Sequence, residues 1–292
     1  MTLTGLYVPL ITPFDAAGAV DLDALESLAY RVLAAGATGL VALGTTAEAA
    51  ALDARERRDV VGVLSRVCRE RAAPLMVGAA TPQALDLLRD RPEVVAALSV
   101  VPPFTRPGEA GVLAHFRQLA AVSPVPLVVY HVPCRTGQEL SAEGLRRLAG
   151  LPGVVGVKYA AGGIDDRTVA IMADVPSGFA VLAGDDAVVS PLLALGAHGA
   201  VLASAHVATA RFVELLDAWR AGDAGRARAV GHRLARLSRA LFAEPNPTVV
   251  KGVLHAYGLI PTAGVRLPLL PAGADTVDTA LRHADALAGA DA

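Results

Sequence analysis

The stretch Pro152-Gly153-Val154-Val155-Gly156-Val157-Lys158-Tyr159 sets the reading of the whole chain. A valine-rich run entered through Pro-Gly has the composition of a parallel strand buried on both faces, and this one runs into a lysine. Lys158 and Lys251 are the only lysines in the sequence; arginine supplies every other cationic side chain except histidine. Arginine keeps its proton in proteins, whereas a lysine amine taken out of water gives its proton up more readily and can then attack a carbonyl carbon. A strand-end lysine can equally do no more than carry its stem out to solvent. The rest of the sequence decides between the two.

The 292 residues are 53% apolar and 18% charged, with a mean hydropathy of +0.47. That balance builds a large core and leaves little chain for disorder. A formal charge of −2 sets up no basic field, so no nucleic-acid partner is expected. No apolar run reaches the ~18 residues of a membrane span. Residues 1–7, Met-Thr-Leu-Thr-Gly-Leu-Tyr, lack the regions of a secretion signal. Cys68 and Cys134 make neither a disulfide framework nor a metal cluster. The expectation is a soluble, cytoplasmic protein with no membrane attachment.

Outward from Lys158 the same unit repeats in both directions. Apolar strands are expected at Leu6–Ile11, Gly39–Leu43, Pro74–Gly78, Val94–Val101, Pro126–Tyr130, Val154–Lys158, Phe179–Ala183 and Gly199–Ala203. Helical periodicity lies between them. Residues 21–35 place Leu22, Leu25, Leu28, Ala29 and Val32 on one face and stop at Gly36. The next helix opens on the capping-box spacing Asp53…Glu56 and runs to Arg69. A short helix at 81–90 follows, then 109–121, 141–149, 165–174, 187–195 and 206–220. The connections are too long for hairpins, so the strands run parallel with helical crossovers. Eight near-equal units predict a (β/α)8 TIM barrel over residues 1–222, ahead of a doubly wound open sheet. Beyond it, helices at 223–242, 247–257 and 273–288 predict a C-terminal helical region, 223–292, packed on the barrel.

In such a barrel the reactive groups sit at the C-terminal ends of the strands. Those ends carry Thr45, Thr46 and Glu48; Pro102, Pro103 and Phe104; Tyr130, His131, Cys134 and Arg135; Lys158; Gly184, Asp185 and Asp186; Ser204 and His206. A lysine, a tyrosine, threonine hydroxyls and an arginine therefore converge on one mouth. A tyrosine beside a free amine can move protons during attack on a ketone and loss of water, which is the equipment of Schiff-base catalysis.

Five motifs carry a resemblance. They are Gly44-Thr45-Thr46-Ala47-Glu48, Tyr130-His131-Val132-Pro133-Cys134-Arg135-Thr136-Gly137, Gly156-Val157-Lys158, Ala183-Gly184-Asp185-Asp186, and a C-terminal pair. That pair is Glu244-Pro245-Asn246-Pro247-Thr248-Val249-Val250-Lys251 and Arg266-Leu267-Pro268. In order and spacing they resemble the dihydrodipicolinate synthase / N-acetylneuraminate lyase family of class I aldolases, nearly end to end. The resemblance implies a (β/α)8 barrel, often a homotetramer (a dimer or tetramer here), needing neither metal nor organic cofactor. It implies that Lys158 forms an imine with C2 of pyruvate or a related 2-keto acid. Tyr130 would then be the general acid/base, relaying through the hydroxyl of Thr45. By the same resemblance Thr45 and Thr46 hold the substrate carboxylate, and Arg135 meets a carboxylate on a second substrate. Gly184 and Val201 line the pyruvate pocket.

There are departures. Phe104 stands where the synthases carry a tyrosine that completes a proton relay across the subunit interface, and a phenyl ring passes no proton. Taken as a substrate-binding position, Phe104 keeps only the ring. His131 replaces an asparagine, Ala47 a glycine and Tyr159 a glutamate. The stretch between Gly78 and Val94 is short for the family, and Ala54 and Arg57 stand where histidines are sometimes found. These lie where many synthases bind feedback lysine, so no lysine inhibition is expected.

Plainer roles are assigned elsewhere. Asp185 and Asp186 have no third ligand at metal spacing and are expected to cap the following helix. Cys134 near His131 lacks an orienting partner for thiol chemistry. Lys251, His198, His232 and His255 are read as structural or surface residues. The functional expectation is a lyase condensing pyruvate with aspartate semialdehyde. A 2-keto-3-deoxy sugar acid aldolase or dehydratase of the same family is the alternative, favoured by Phe104. A non-catalytic 2-keto-acid binder is the rival from another class.

Overall fold

Runs of valine, leucine and alanine too short for helices, each closed by a polar or glycine-rich turn, pair only with one another. In the computed structural model, which describes residues 3–288, they form eight parallel strands closed into a barrel. The strands are β1 (Gly5–Pro9), β2 (Gly39–Ala42), β3 (Leu75–Gly78), β4 (Val94–Val100), β5 (Leu127–His131), β6 (Val154–Tyr159), β7 (Ala180–Ala183) and β8 (Gly199–Val201). Each pairs with its sequence neighbour, and β8 returns to β1 with Gly5 opposite Gly199. This is the (β/α)8 barrel expected from the alternation.

Side chains alternate between the two faces of each strand. Tyr7, Val41, Met76, Leu98, Val128, Leu182 and Val201 fill the interior. Their neighbours Leu6, Val8, Leu40, Leu75, Val77, Val129 and Val181 face outward under the helices. Burial on both faces explains why these strands read as continuous apolar runs rather than as an alternating pattern.

The helix starts follow local chemistry. Asp21 accepts from the Ala24 amide to open Leu22–Ala34, and Asp53 and Glu56 form the expected reciprocal capping box at the head of Ala54–Glu70. Ser141 caps Ala142–Ala149 by accepting from the Gly144 amide. The third crossover is thin, as the short spacing implied: a single helical turn, Pro82–Leu85, runs into a 3-10 turn at Asp86–Leu88.

Two strands stop two residues earlier than expected. Beyond Pro9 the chain leaves the sheet, and the Ile11 amide donates to His206 Nε2 instead of a neighbouring strand. Beyond Val201 the carbonyl of Ala203 is taken by the other nitrogen of the same ring. Ala224–Leu241, Thr248–Ala256 and Ala274–Ala288 follow the barrel. The first packs against Ala205–Arg220 and against the last. Residues 1, 2 and 289–292, included in the expected 1–222 and 223–292 units, lie outside the described residues.

Candidate active site

Tyr130 and Lys158 are register partners on β5 and β6, so both point into the barrel at the same level. They are 7% and 6% exposed, and Lys158 Nζ lies 4.3 Å from the centroid of the Tyr130 ring. On the far side of the lysine β7 ends at Ala183, and Gly184 follows. A Cβ on Gly184 would come within 2.9 Å of Lys158 Cε and Cγ. The lysine can lie across this position only because it carries no side chain.

These groups surround a cavity of about 130 Å³ at the C-terminal end of the barrel. Thr45, Thr46, Arg135, Gly184 and Val201 line it with Tyr130 and Lys158. Seven of the eight residues singled out from the sequence thus meet at one point. Phe104 does not: it is 90% exposed and absent from the wall. In the segment after Pro103, Phe104 and Arg106 have φ of 67° and 44°, and the Phe104 amide donates to the Thr136 carbonyl. Within its own chain Phe104 therefore lies outside the cavity wall. The expected proton chain is also not closed: no hydrogen bond joins the hydroxyls of Tyr130 and Thr45.

The turn carrying Thr45 and Thr46 is tightly anchored. After Leu43, at φ 52°, residues Thr45–Ala47 make a 3-10 turn that ends at Glu48 with φ 53°. The amides of Thr45 and Thr46 open this turn, where N–H groups have no partner within it. Thr12 donates its hydroxyl to the Ala47 carbonyl at 2.8 Å. Glu48 is buried and accepts from Lys251 Nζ at 2.5 Å and from the Arg266 amide at 2.8 Å. Arg266 continues to Glu56 through two bonds of 2.6 and 2.7 Å. Lys251 also donates to the Gly264 carbonyl, and burial pulls its amine down to about 8 against the opposing pull of Glu48. The second lysine is thus a structural tie, as the sequence suggested.

Other groups at the mouth differ from expectation. Neither Asp185 nor Asp186 caps a helix. Asp185 Oδ2 accepts from the Gly162 amide at 2.6 Å and Asp186 Oδ1 from the Ser204 amide at 2.5 Å, each bridging adjacent strand ends. Both line the cavity. Burial raises both carboxyls, that of Asp186 to about 6. Burial lowers the pKa of His206 to about 4, and the neutral ring accepts from the Ile11 amide and donates to the Ala203 carbonyl. His131 packs outside the barrel on Tyr159 at 5.5 Å and does not reach Cys134.

Two wall residues from beyond the barrel escaped the sequence reading. Phe242 and Asn246 come from the segment between Ala224–Leu241 and Thr248–Ala256. Asn246 lay inside a quoted motif, but its role depends on a contact with Thr46 that spacing cannot show. Nothing local marked Phe242. A larger cavity of about 510 Å³ adjoins the small one and shares Thr45, Arg135 and Asn246 with it. Among the described residues no three His, Cys, Asp or Glu side chains are grouped to hold a metal, and no helix is long and apolar enough to cross a membrane.

A family model, the dihydrodipicolinate synthetase family, matches residues 2–286. The chain belongs to this family. It is 38% identical to a 4-hydroxy-tetrahydrodipicolinate synthase of Azoarcus sp. (strain BH72) over 97% of this chain and 98% of that one. Among solved structures it resembles the chloride-inhibited dihydrodipicolinate synthase of Acinetobacter baumannii complexed with pyruvate. There the TM-score is 0.90 and the identity 34%, over 97% of this chain and 99% of that one. It also resembles a dihydrodipicolinate synthase from Cyanidioschyzon merolae with lysine bound, with a TM-score of 0.91 and 28% identity over 98% of each chain. Members of the dihydrodipicolinate synthetase family are lyases of the class I aldolase type, and the chain is an enzyme of this kind.

Proposed function

We propose that the protein condenses pyruvate with aspartate semialdehyde to 4-hydroxy-tetrahydrodipicolinate through an imine on Lys158. The observation that carries this reading is the buried amine of Lys158 beside a phenol in a chamber of about 130 Å³, with two threonines at its rim. Such a chamber suits a three-carbon acid. The wider cavity of about 510 Å³, bordered by Arg135, suits the second substrate. Arg135 makes no ion pair among the described residues, which leaves its forked donors for a substrate carboxylate.

The amine of Lys158 attacks C2 of the keto acid; the carbonyl oxygen takes one proton from the amine and a second from Tyr130 and leaves as water, giving the protonated imine. Tyr130 serves as the acid and base of these transfers, with Thr45 beside it. Loss of a proton from C3 yields an enamine, whose carbon forms the new C–C bond with the aldehyde carbon while the aldehyde oxygen takes up a proton. The amino group of the semialdehyde then attacks the imine carbon and displaces Lys158, closing the ring and freeing the enzyme. Every step uses groups of the chain and its substrates, so no cofactor or metal enters.

In this reading residues 1–222 supply the reacting groups and 223–292 the wall with Asn246. The enzyme acts in the cytoplasm on small-molecule substrates, as a homo-oligomer in which the exposed Phe104 meets a second subunit. Borohydride added with pyruvate should leave a covalent adduct on Lys158, and purified protein should consume aspartate semialdehyde only when pyruvate is present. An adduct without semialdehyde turnover, joined by cleavage of a 2-keto-3-deoxy sugar acid, would move the reading to the aldolase alternative. No adduct at all would leave a binder.

A further inference from the structure

Thr46 and Asn246 are 200 residues apart in the chain and joined in the structure: Asn246 Nδ2 donates to Thr46 Oγ1 at 2.9 Å. They are 3% and 9% exposed and line the small cavity together with Lys158. A threonine hydroxyl offers one proton and two lone pairs. With a lone pair engaged by the amide, the proton remains to be donated. A carboxylate in place of the amide would draw that proton to itself and leave the hydroxyl facing the cavity as an acceptor, which repels an acid. The other end of the amide, Oδ1, is buried without a protein partner. A residue serving packing alone is expected to have both ends satisfied, because an unmatched buried acceptor is costly.

We propose that Asn246 is a positioning residue for the carboxylate of the 2-keto acid. It sets the Thr46 hydroxyl as a donor toward the substrate and acts through that hydroxyl, not on the reacting carbon. This inference rests on the reading of Lys158 and its keto acid given above. It also gives the segment after Ala224–Leu241 a share in substrate binding, since that segment delivers the amide to a turn between β2 and the next helix.

The test is borohydride trapping on the full chain at graded pyruvate concentrations, scored as adduct on Lys158. Asn246→Ala should raise the half-saturating pyruvate concentration roughly threefold to tenfold, the worth of one neutral hydrogen bond. Trapping at saturating pyruvate should stay within about twofold of the unaltered chain, since only binding is touched. Asn246→Asp is nearly isosteric but takes the Thr46 proton and sets a negative charge beside the acid. It should raise half-saturation on the order of a hundredfold, as expected for a charge-assisted contact turned repulsive. In a Thr46→Val background Asn246→Ala should add nothing further, because the two residues act as one unit. Unchanged half-saturation in both Asn246 variants, additive losses in the Thr46→Val background, or a loss confined to the saturated rate each overturns the proposal. If the alanine variant does not fold, the aspartate variant decides alone, and normal half-saturation there overturns it. Failure of the unaltered chain to form any adduct removes the functional reading and this inference together, whereas a normal adduct with insensitive Asn246 variants removes only the inference.

Discussion

Lys158 Nζ lies over the ring of Tyr130, 4.3 Å from its centroid, with no hydrogen bond to the phenol oxygen. The phenyl part of Tyr130 is therefore a wall for the amine, and its hydroxyl is a separate function that removal of one oxygen isolates. Tyr130→Phe should leave the fold and the lysine in place. Pyruvate should still be trapped on Lys158, only more slowly, while turnover falls about 10²–10⁴-fold, the range of a lost general acid/base. Steady-state rates beside adduct mass measure both; full turnover in the variant would assign proton transfer to another group.

The position after β7 has no room for a side chain while the Lys158 stem stays where it lies. Gly184→Ala puts a methyl 2.9 Å from Lys158 Cε and Cγ, so the lysine stem has to move. A displacement of about 1 Å at a reacting atom costs on the order of a hundredfold. The rate of adduct formation should fall by that order with the melting temperature little altered. A rate equal to that of the unaltered chain would show that the stem relaxes freely.

The tie between Glu48 and Lys251 holds the Thr45-Thr46 turn against the C-terminal helices. Lys251→Met leaves Glu48 buried beside a chain that cannot balance its charge, at a cost of about 3–5 kcal/mol in urea unfolding. Adding Glu48→Gln removes the stranded charge and should recover part of that loss. A double variant less stable than Lys251→Met alone would contradict this account.

His206 makes stability depend on acidity. Burial, with Nε2 accepting from the Ile11 amide, keeps the folded ring neutral down to about pH 4, whereas the unfolded ring takes up a proton near 6.5. The unfolded chain thus binds the extra proton between those values, and stability falls as pH falls from 6.5 to 4, by about 3 kcal/mol from this ring. His206→Gln should flatten that slope in melts recorded across the window. An unchanged slope would place the titration elsewhere, with buried His131 the next candidate.

Free lysine should not inhibit. The cavity of about 490 Å³ between residues 43–58 and 78–87 is lined by Arg57 and Arg58 and by no carboxylate. A lysine ammonium finds no countercharge there and meets two like charges. Turnover at millimolar lysine should match turnover without it; a saturating inhibition curve would refute the expectation.

The order of strands and helices, the barrel and the lysine at the sixth strand end were all legible in the sequence. Apolar periodicity and caps are set by neighbours within a few residues, so 21–35 and 53–69 were read nearly to their ends. Seven of the eight site positions could also be placed, because a barrel sends every strand end to one face. Only barrel closure and the packing of the last helices decided the rest. It brought Asn246 to Thr46 and Lys251 to Glu48 across 200 and 203 residues, gave Asp185 and Asp186 to bridging strand ends instead of capping a helix, and left Phe104 facing outward. Periodicity records which side of an element avoids water; which polar atom it finds there depends on where distant turns come to rest.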